Sequence, residues 1–152
     1  MSRAFTKEDD YFDQLPDRPI SAHPNKVTER GLALIEAALE AARKEYGEAQ
    51  ASGDREALAK AGRDLRYWTA RRATAHVVLT DPHIGTVQFG NLIGIVRGDG
   101  REQTFRIVGE DEADPSQGTI SHVSPLARAV LGKSVGDVAP LGSDDVEIKS
   151  IG

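Results

Sequence analysis

Three carboxylates lie around a break in a long helix-forming region, and carboxylates are groups that bind divalent cations. The break falls at Gly53, a residue suited to the left-handed end of a helix. Carried at the end of a helical hairpin, two carboxylates could complete a divalent-metal site that belongs to a partner. The same positions also suit a helix N-cap and a first-turn acid, so both interpretations stay open. The three residues are Glu48, Asp54 and Glu56.

Basic side chains dominate the stretch after this break. Residues 54–75 have a net charge of +3, whereas residues 28–51 have a net charge of −2. One interpretation is pairing between two oppositely charged helices. The other is a helix face that follows a phosphate backbone, with a contact that weakens as salt is added. The candidates for facing nucleic acid are Arg55, Lys60, Arg63 and Arg66.

Other residue types that do chemistry lack the spacing that the chemistry needs. Four histidines, at positions 23, 76, 83 and 122, form no close pair on one helix face, so we expect no metal site. Ser124 precedes a proline and suits a helix N-cap, because no His–Asp arrangement is directed at it. The acidic run from Glu110 to Asp114 is expected to be a solvated loop, with Mg²⁺ binding as the alternative. The chain is therefore expected not to be an enzyme.

The composition limits the class of protein. The chain has 152 residues, of which 39% are hydrophobic and 28% charged, and its formal net charge of −5 excludes a uniformly basic nucleic-acid binder. It contains no cysteine, which excludes disulfides and thiolate sites. No apolar run approaches the roughly 20 residues of a membrane span, and the start lacks a signal-peptide stretch. We expect a cytoplasmic protein without a membrane partner.

Residues 28–75 predict an antiparallel two-helix coiled coil, with Thr28 as the first N-cap. Apolar residues recur at spacings of three and four on both sides of the break. The register places Tyr46 opposite Leu58 and centres the turn on Ser52. About 23 residues per helix correspond to an arm of roughly 35 Å. The predicted seam consists of Leu32, Ile35, Leu39, Ala42 and Tyr46, then Leu58, Ala61, Leu65, Trp68, Arg72 and Ala75.

Residues 1–27 are predicted to be an irregular tail, because prolines and acidic residues dominate them. The tail also contains apolar side chains, among them Phe5, Leu15 and Ile20. These leave open whether it packs on the rest of the chain or remains free.

Residues 76–152 alternate short β-prone runs with turns, which predicts a small antiparallel sheet and an α+β fold. A hairpin is expected at Gly98–Gly100, and a short helix at Pro125–Leu131 after the Ser124 N-cap. The predicted strands are residues 77–79, 86–89, 92–96, 103–108, 119–123, 138–141 and 146–151.

The C-terminal part of the chain contains many residues typical of one protein family. They are Phe89-Gly90, the run from Gln103 to Asp114 (QTFRIVGEDEAD), Ile120-Ser121, the run from Ser124 to Ala129 (SPLARA), Leu131-Gly132-Lys133 and Gly136-Asp137. Upstream, Thr28-x-x-Gly31 opens the first helix in the same way. Over roughly residues 26–152 the chain resembles the Gre family of bacterial transcript-cleavage factors, GreA and GreB.

The resemblance implies a coiled-coil arm on an FKBP-like sheet domain, with RNA polymerase as the partner. In the family, the sheet domain docks at the rim of the polymerase secondary channel, on a side that here includes Ser121, Ser124 and Pro125. The arm enters the channel, and its acidic tip helps to hold a Mg²⁺ in the polymerase active site, where the polymerase cleaves backtracked RNA. The resemblance thus implies no cofactor of the chain's own and nucleic-acid contact only within the transcription complex. We expect a monomer.

The tip of the arm departs from the family pattern. Gly53-Asp54 match it, but Glu56 precedes by one residue the position at which the family pattern has its second carboxylate. One residue corresponds to about 100° around a helix, so the side chain of Glu56 points in a different direction. The hairpin is also about 20 residues shorter than a typical arm of the family. Because the difference is divided over two helices, it shortens the arm by roughly 14 Å. The chain is therefore expected to regulate elongation with weak or no stimulation of transcript cleavage. The family's Glu, Asn and Tyr positions are here Ala57, Leu58 and Ala61.

Two alternatives remain. The first is a functional cleavage factor that uses Asp54 and Glu56. The second is an FKBP-like prolyl isomerase or chaperone, which would need an aromatic-lined pocket. Beyond residue 80 the aromatic residues are Phe89 and Phe105. No motif for sequence-specific DNA binding is present.

Overall fold

A computed structural model of the chain describes residues 15–152. They form two compact units: the described residues up to Pro24 with Ala33–Ala75, and Asn25–Leu32 with His76–Gly152. The first unit is a helical hairpin, and the second contains a five-stranded sheet and one short α-helix. The predicted α+β class, with a helical hairpin before the sheet domain, is confirmed. Within the described residues, no helix has both the length and the apolarity to cross a bilayer.

The helix boundaries fall where the capping residues predict them. Helix α1 (Glu29–Ser52) starts after Thr28, whose Oγ1 accepts a hydrogen bond of 2.9 Å from the Gly31 N–H. It ends at Gly53, whose φ of 71° is readily adopted only by a residue without Cβ. Helix α2 (Arg55–Thr74) starts after Asp54, whose Oδ1 accepts a hydrogen bond of 3.1 Å from the Ala57 N–H. Both predicted N-caps are confirmed.

The seam is confirmed on α1, where the predicted positions Ile35, Leu39 and Ala42 are buried. On α2 one predicted seam residue is wrong. Arg72 is exposed and forms an ion pair with Glu36 at 3.2 Å, whereas the neighbouring Arg71 is buried. Because both neighbours are arginines, the spacing of apolar residues on α2 gives no signal for which of the two is buried.

The first two strands are short, and they differ from the predicted β-prone regions. Strand β1 (Lys26–Val27) pairs in parallel with β2 (His76–Val77), so the predicted irregular tail ends in a strand, and the run at 77–79 is shorter than expected. Residues 86–89 do not form the predicted strand. Val87 is buried, but its N–H donates to the Lys133 carbonyl, a loop residue. The apolar side chain there fills the core without joining the sheet.

The five-stranded sheet has the order β5-β4-β3-β7-β6. Strands β3 and β4 form the predicted hairpin, and Ile93, Ile95, Ile107 and Ile148 are fully buried on the face that forms the core. Helix α3 (Pro125–Val130) contributes Val130 to the same core. The strands are β3 (Leu92–Arg97), β4 (Glu102–Val108), β5 (Thr119–Ser121), β6 (Val138–Leu141) and β7 (Asp144–Ile151).

The prediction of a purely antiparallel sheet is wrong at β5. Strand β5 runs parallel to β4, with Arg106 opposite Thr119. A tight turn after β4 would return the chain antiparallel, whereas a parallel partner needs a longer crossover. Residues 109–118, which include the 3₁₀ turn Pro115–Gln117, supply that crossover. The length of the connection between β4 and β5 is the sequence feature that indicates a parallel pair.

Candidate functional site

The carboxylate of Asp54 at the hairpin tip is engaged by the backbone of its own helix. One oxygen accepts the Ala57 N–H, and the Asp54 N–H donates to the Ser52 hydroxyl at 3.3 Å. These contacts fix the turn between α1 and α2. Asp54 therefore has a structural role in the hairpin, whatever further role it has at the tip.

Glu48 and Glu56 are both exposed near the tip. Glu48 lines a shallow groove of about 380 Å³ together with Glu45, Ala57 and Lys60, and position 57 contributes only a methyl group to it. In the part of the chain that the structure describes, no group of three His, Asp or Glu side chains could hold a metal ion. The tip residues therefore do not fit a metal centre formed by this chain alone.

The four candidate nucleic-acid-facing residues do not share one face of α2. At about 100° per residue, Arg55 and Arg66 differ in direction by about 20°, and Arg63 lies about 80° from Arg55. Lys60 lies about 140° from Arg55 and faces the groove that also contains Glu48. We define the basic face of α2 as Arg55, Arg63 and Arg66.

Part of the N-terminal tail packs against this helix, a possibility that the sequence left open. Asp17 accepts a hydrogen bond from Arg66 Nε at 2.5 Å, and Arg18 forms an ion pair with Asp64 at 3.3 Å. The Arg18 guanidinium also stacks on the Tyr67 ring, 3.8 Å from its centroid. The apolar residues in the tail were the only sequence signal for this packing. Phe5 and the rest of the tail up to residue 14 lie outside the described residues.

The candidate docking corner on the sheet unit is built from Ser121, Ser124 and Pro125. The Ser121 Oγ accepts the Val123 N–H at 3.2 Å, and the Ser124 Oγ caps α3 by accepting the Ala127 N–H at 3.3 Å. Both hydroxyls are thus engaged by the backbone, and Ser124 serves as the cap that the sequence predicted. Pro125 is exposed at the first position of the helix. The corner is an ordered surface with no arrangement for nucleophilic catalysis.

The acidic run at 110–114 differs from the predicted solvated loop at one residue. Glu112 is buried, with a side chain only 2% exposed. It accepts a short hydrogen bond from the Thr28 hydroxyl and pairs with Arg30 at 3.3 Å. A Cβ added at Gly31 would lie only 2.7 Å from a carboxylate oxygen of Glu112. Thr28, Gly31 and Glu112, which are all among the family-typical residues, are therefore in contact although they are distant in sequence. This contact was not predicted from the sequence.

The aromatic residues of the sheet unit do not line an open pocket. Phe89 is buried in the core and packs edge-on against His122, with 5.5 Å between the ring centroids. Phe105 is partly buried against the same core. The apolar, aromatic-lined site that a prolyl isomerase needs is not formed by these residues.

Comparison with known proteins places these features in one family. Residues 81–151 match the family model described as transcription elongation factor, GreA/GreB, C-terminal. The GreB protein of Neisseria meningitidis serogroup A is 43% identical over an alignment of 97 residues, and the match covers 59% of this chain and 58% of that protein. The GreA protein of Chloroflexus aggregans is 35% identical over an alignment of 135 residues, and the match covers 74% of this chain and 84% of that protein.

Among solved structures, the GreA factor homolog Gfh1 of Thermus thermophilus aligns with 86% of this chain and 99% of its own, at 20% identity and a TM-score of 0.41. The match to the Neisseria GreB protein, by contrast, spans somewhat over half of that protein's length. The GreA match extends beyond the sheet unit, because it covers 74% of this chain. The chain belongs to the GreA/GreB family of transcription elongation factors.

Proposed function

We propose that this protein binds RNA polymerase through its sheet unit and regulates elongation with weak or no stimulation of transcript cleavage. Its hairpin enters the secondary channel, and in the cell its basic residues meet nucleic acid only within the transcription complex. The protein acts as a monomer in the cytoplasm and has no active site of its own.

The docking part of this proposal is supported by the corner at Ser121, Ser124 and Pro125. Its two hydroxyls are held by backbone N–H groups, so the surface is pre-ordered and loses little conformational freedom on binding. Pro125 is exposed, and its ring adds no rotamer freedom. Such a corner suits protein recognition better than chemistry.

The hairpin tip is the observation that carries the proposal. A carboxylate that helps to hold a metal must approach it to about 2–2.6 Å, or act through one water molecule. Asp54 already caps α2, and Ala57 offers only a methyl group at the position of the family's second carboxylate. Helices of 24 and 20 residues also limit the reach of the arm to about 36 and 30 Å.

A cleavage assay on a stalled, backtracked elongation complex tests this proposal. We expect the wild-type protein to yield no more shortened transcript than polymerase alone, while it still co-sediments with polymerase. Asp54→Asn is the variant to compare, because it removes the charge and keeps an oxygen acceptor for the Ala57 N–H. Shortened transcripts that appear with wild type and disappear with Asp54→Asn would instead identify a cleavage factor that uses the tip carboxylates. A lack of polymerase binding would overturn the proposal altogether.

A further inference from the structure

The tail residues Asp17–Ile20, called here the docked segment, are joined to α2 by two crossed ion pairs. Asp17 of the segment binds Arg66 of the helix, and Arg18 of the segment binds Asp64 of the helix. Each element thus supplies one acidic and one basic group to the other. This reciprocity fixes both the position and the direction of the segment on the helix.

A cation–π contact holds the segment in the same place. The Arg18 guanidinium lies 3.8 Å from the centroid of the Tyr67 ring and 5.7 Å from that of Trp68. Arg18 also lines a small cavity of about 90 Å³. The cavity is lined by Asp17, Arg18, Ile20, Arg66, Tyr67 and Ala70.

Arg66 also borders an open groove, whose volume is about 300 Å³. Tyr46 lines this groove, and its ring lies 3.4 Å from the position that a Cβ on Gly62 would take. An aromatic ring next to a guanidinium is the arrangement by which proteins bind single-stranded nucleic acid. The base stacks on the ring, and the phosphate pairs with the cation.

The charge of α2 explains why the docked segment presents a carboxylate to it. Helix α2 carries six basic and two acidic residues. Asp17 offers Arg66 the same kind of anionic oxygen that a phosphate would. Both ion pairs are partly solvated, with Asp17 68% and Arg66 50% exposed in their side chains. Exposed ion pairs are weak, so a competing anion can displace the segment.

We propose that the docked segment is an intramolecular competitor for the basic face of α2, and that Asp17 occupies the place of a nucleic-acid phosphate on Arg66. A single-stranded phosphate backbone displaces the segment and then uses Arg66 and the groove at Tyr46. The inference rests on the nucleic-acid-facing role of Arg66 but not on polymerase docking or on transcript cleavage.

A binding measurement on the full chain tests this competition. The probe is a fluorescein-labelled 20-nucleotide oligothymidylate, followed by fluorescence anisotropy at about 0.1 M salt, where remote charges are largely screened. Asp17→Asn should tighten binding about two- to fivefold, which corresponds to the loss of one exposed ion pair. Glu102→Gln on β4 is the control, since it changes the net charge equally at an exposed site in the other unit. Equal effects of the two variants, or no binding by any of them, would overturn the inference.

Displacement of the segment can be observed directly by NMR. In the free protein, the ring current of Tyr67 should shift the Arg18 side-chain protons upfield, and saturating oligothymidylate should abolish this shift. If the shift persists at saturation, the segment does not compete and the inference is wrong. Polymerase co-sedimentation of the same variants is a separate readout. Retained polymerase binding without any competition would leave the proposed function intact.

Discussion

The hairpin and the sheet unit bury different kinds of side chain. The core of the sheet unit contains fully buried large residues, among them Ile93, Ile95, Ile107 and Ile148. The buried apolar side chains of the hairpin are four alanines together with Ile35 and Leu39, and Arg71 is buried as well. Small residues bring two helices close together but remove little apolar surface from water. The sheet unit thus has a core of large side chains, whereas the hairpin has a thinner apolar seam.

This contrast also applies to function. The residues that place the chain in its family are concentrated in the sheet unit, where the match covers 81–151. Position 57, at the hairpin tip, is an alanine. A thin seam tolerates changes in length and sequence better than a close-packed core. The proposed docking corner and the hairpin tip lie in different units, so each can change without the other.

Truncation in the sheet core should have the largest effect on stability. Ile107→Ala is expected to lower the free energy of unfolding by about 3–5 kcal/mol, because it leaves a closed cavity in the core. Leu39→Ala in the hairpin should lower the free energy of unfolding by about 2 kcal/mol, near the lower end of the range for buried Leu→Ala substitutions. The cost is smaller there because water can fill a cavity in a two-helix seam. Urea unfolding measures both. Equal losses would contradict the contrast between the two units.

Two glycine substitutions in α1 should have opposite signs. Gly31→Ala would bring a Cβ to 2.7 Å from Glu112 Oε1 and is expected to cost about 2 kcal/mol. Gly47→Ala has no atom within 4 Å of the new Cβ and should stabilise the helix by about 0.5–1 kcal/mol. Thermal unfolding monitored by circular dichroism measures both. A stabilising effect of Gly31→Ala would show that Glu112 does not hold the start of the helix.

The docking corner can be tested without disturbing the fold. Pro125→Glu places a charge on the exposed corner, at a helix position that tolerates an acid, and should weaken polymerase binding about tenfold. Pro140→Glu is the matched control, since Pro140 is an exposed proline on strand β6 at the sheet edge. Titration of labelled protein with core polymerase measures both affinities. The docking assignment would be wrong if the two variants bound equally.

The smallest expected change concerns the hairpin tip. Asp54→Ala removes the cap of α2 and should lower the free energy of unfolding by about 1 kcal/mol. Glu56→Gln removes only a first-turn charge and should lower the free energy of unfolding by about 0.3 kcal/mol. Chemical denaturation compares the two variants. A cost for Glu56→Gln as large as for Asp54→Ala would show that Glu56 has a structural partner at the tip.

Features set by neighbouring residues could be predicted from the sequence. Thr28, Gly53 and Asp54 determine where the two helices begin and end through local hydrogen bonds and backbone freedom, and each was recognised. The Ser124 cap and the turn at Gly98–Gly100 were recognised for the same reason. Interactions between residues close in sequence were therefore sufficient to predict where these helices and this turn lie.

Features that depend on distant contacts could not be predicted. The burial of Glu112 requires Thr28, which is 84 residues away in the chain. Arg72 lies outside the seam and pairs with Glu36 of α1, a partner for which the spacing of apolar residues on α2 carries no signal. The parallel direction of β5 depends on how residues 109–118 cross back along β4. In each case the deciding contact lies outside the window in which the pattern is visible.

The position of Asp54 in a complex with RNA polymerase tests the central claim most directly. In a cryo-electron microscopy structure of a backtracked elongation complex, we expect the sheet unit to be docked on polymerase. We expect no carboxylate oxygen of Asp54 or Glu56 within about 5 Å of the catalytic Mg²⁺, which is beyond the reach of a water-bridged contact. A direct Asp54 oxygen–Mg²⁺ distance of about 2–2.6 Å would contradict the account.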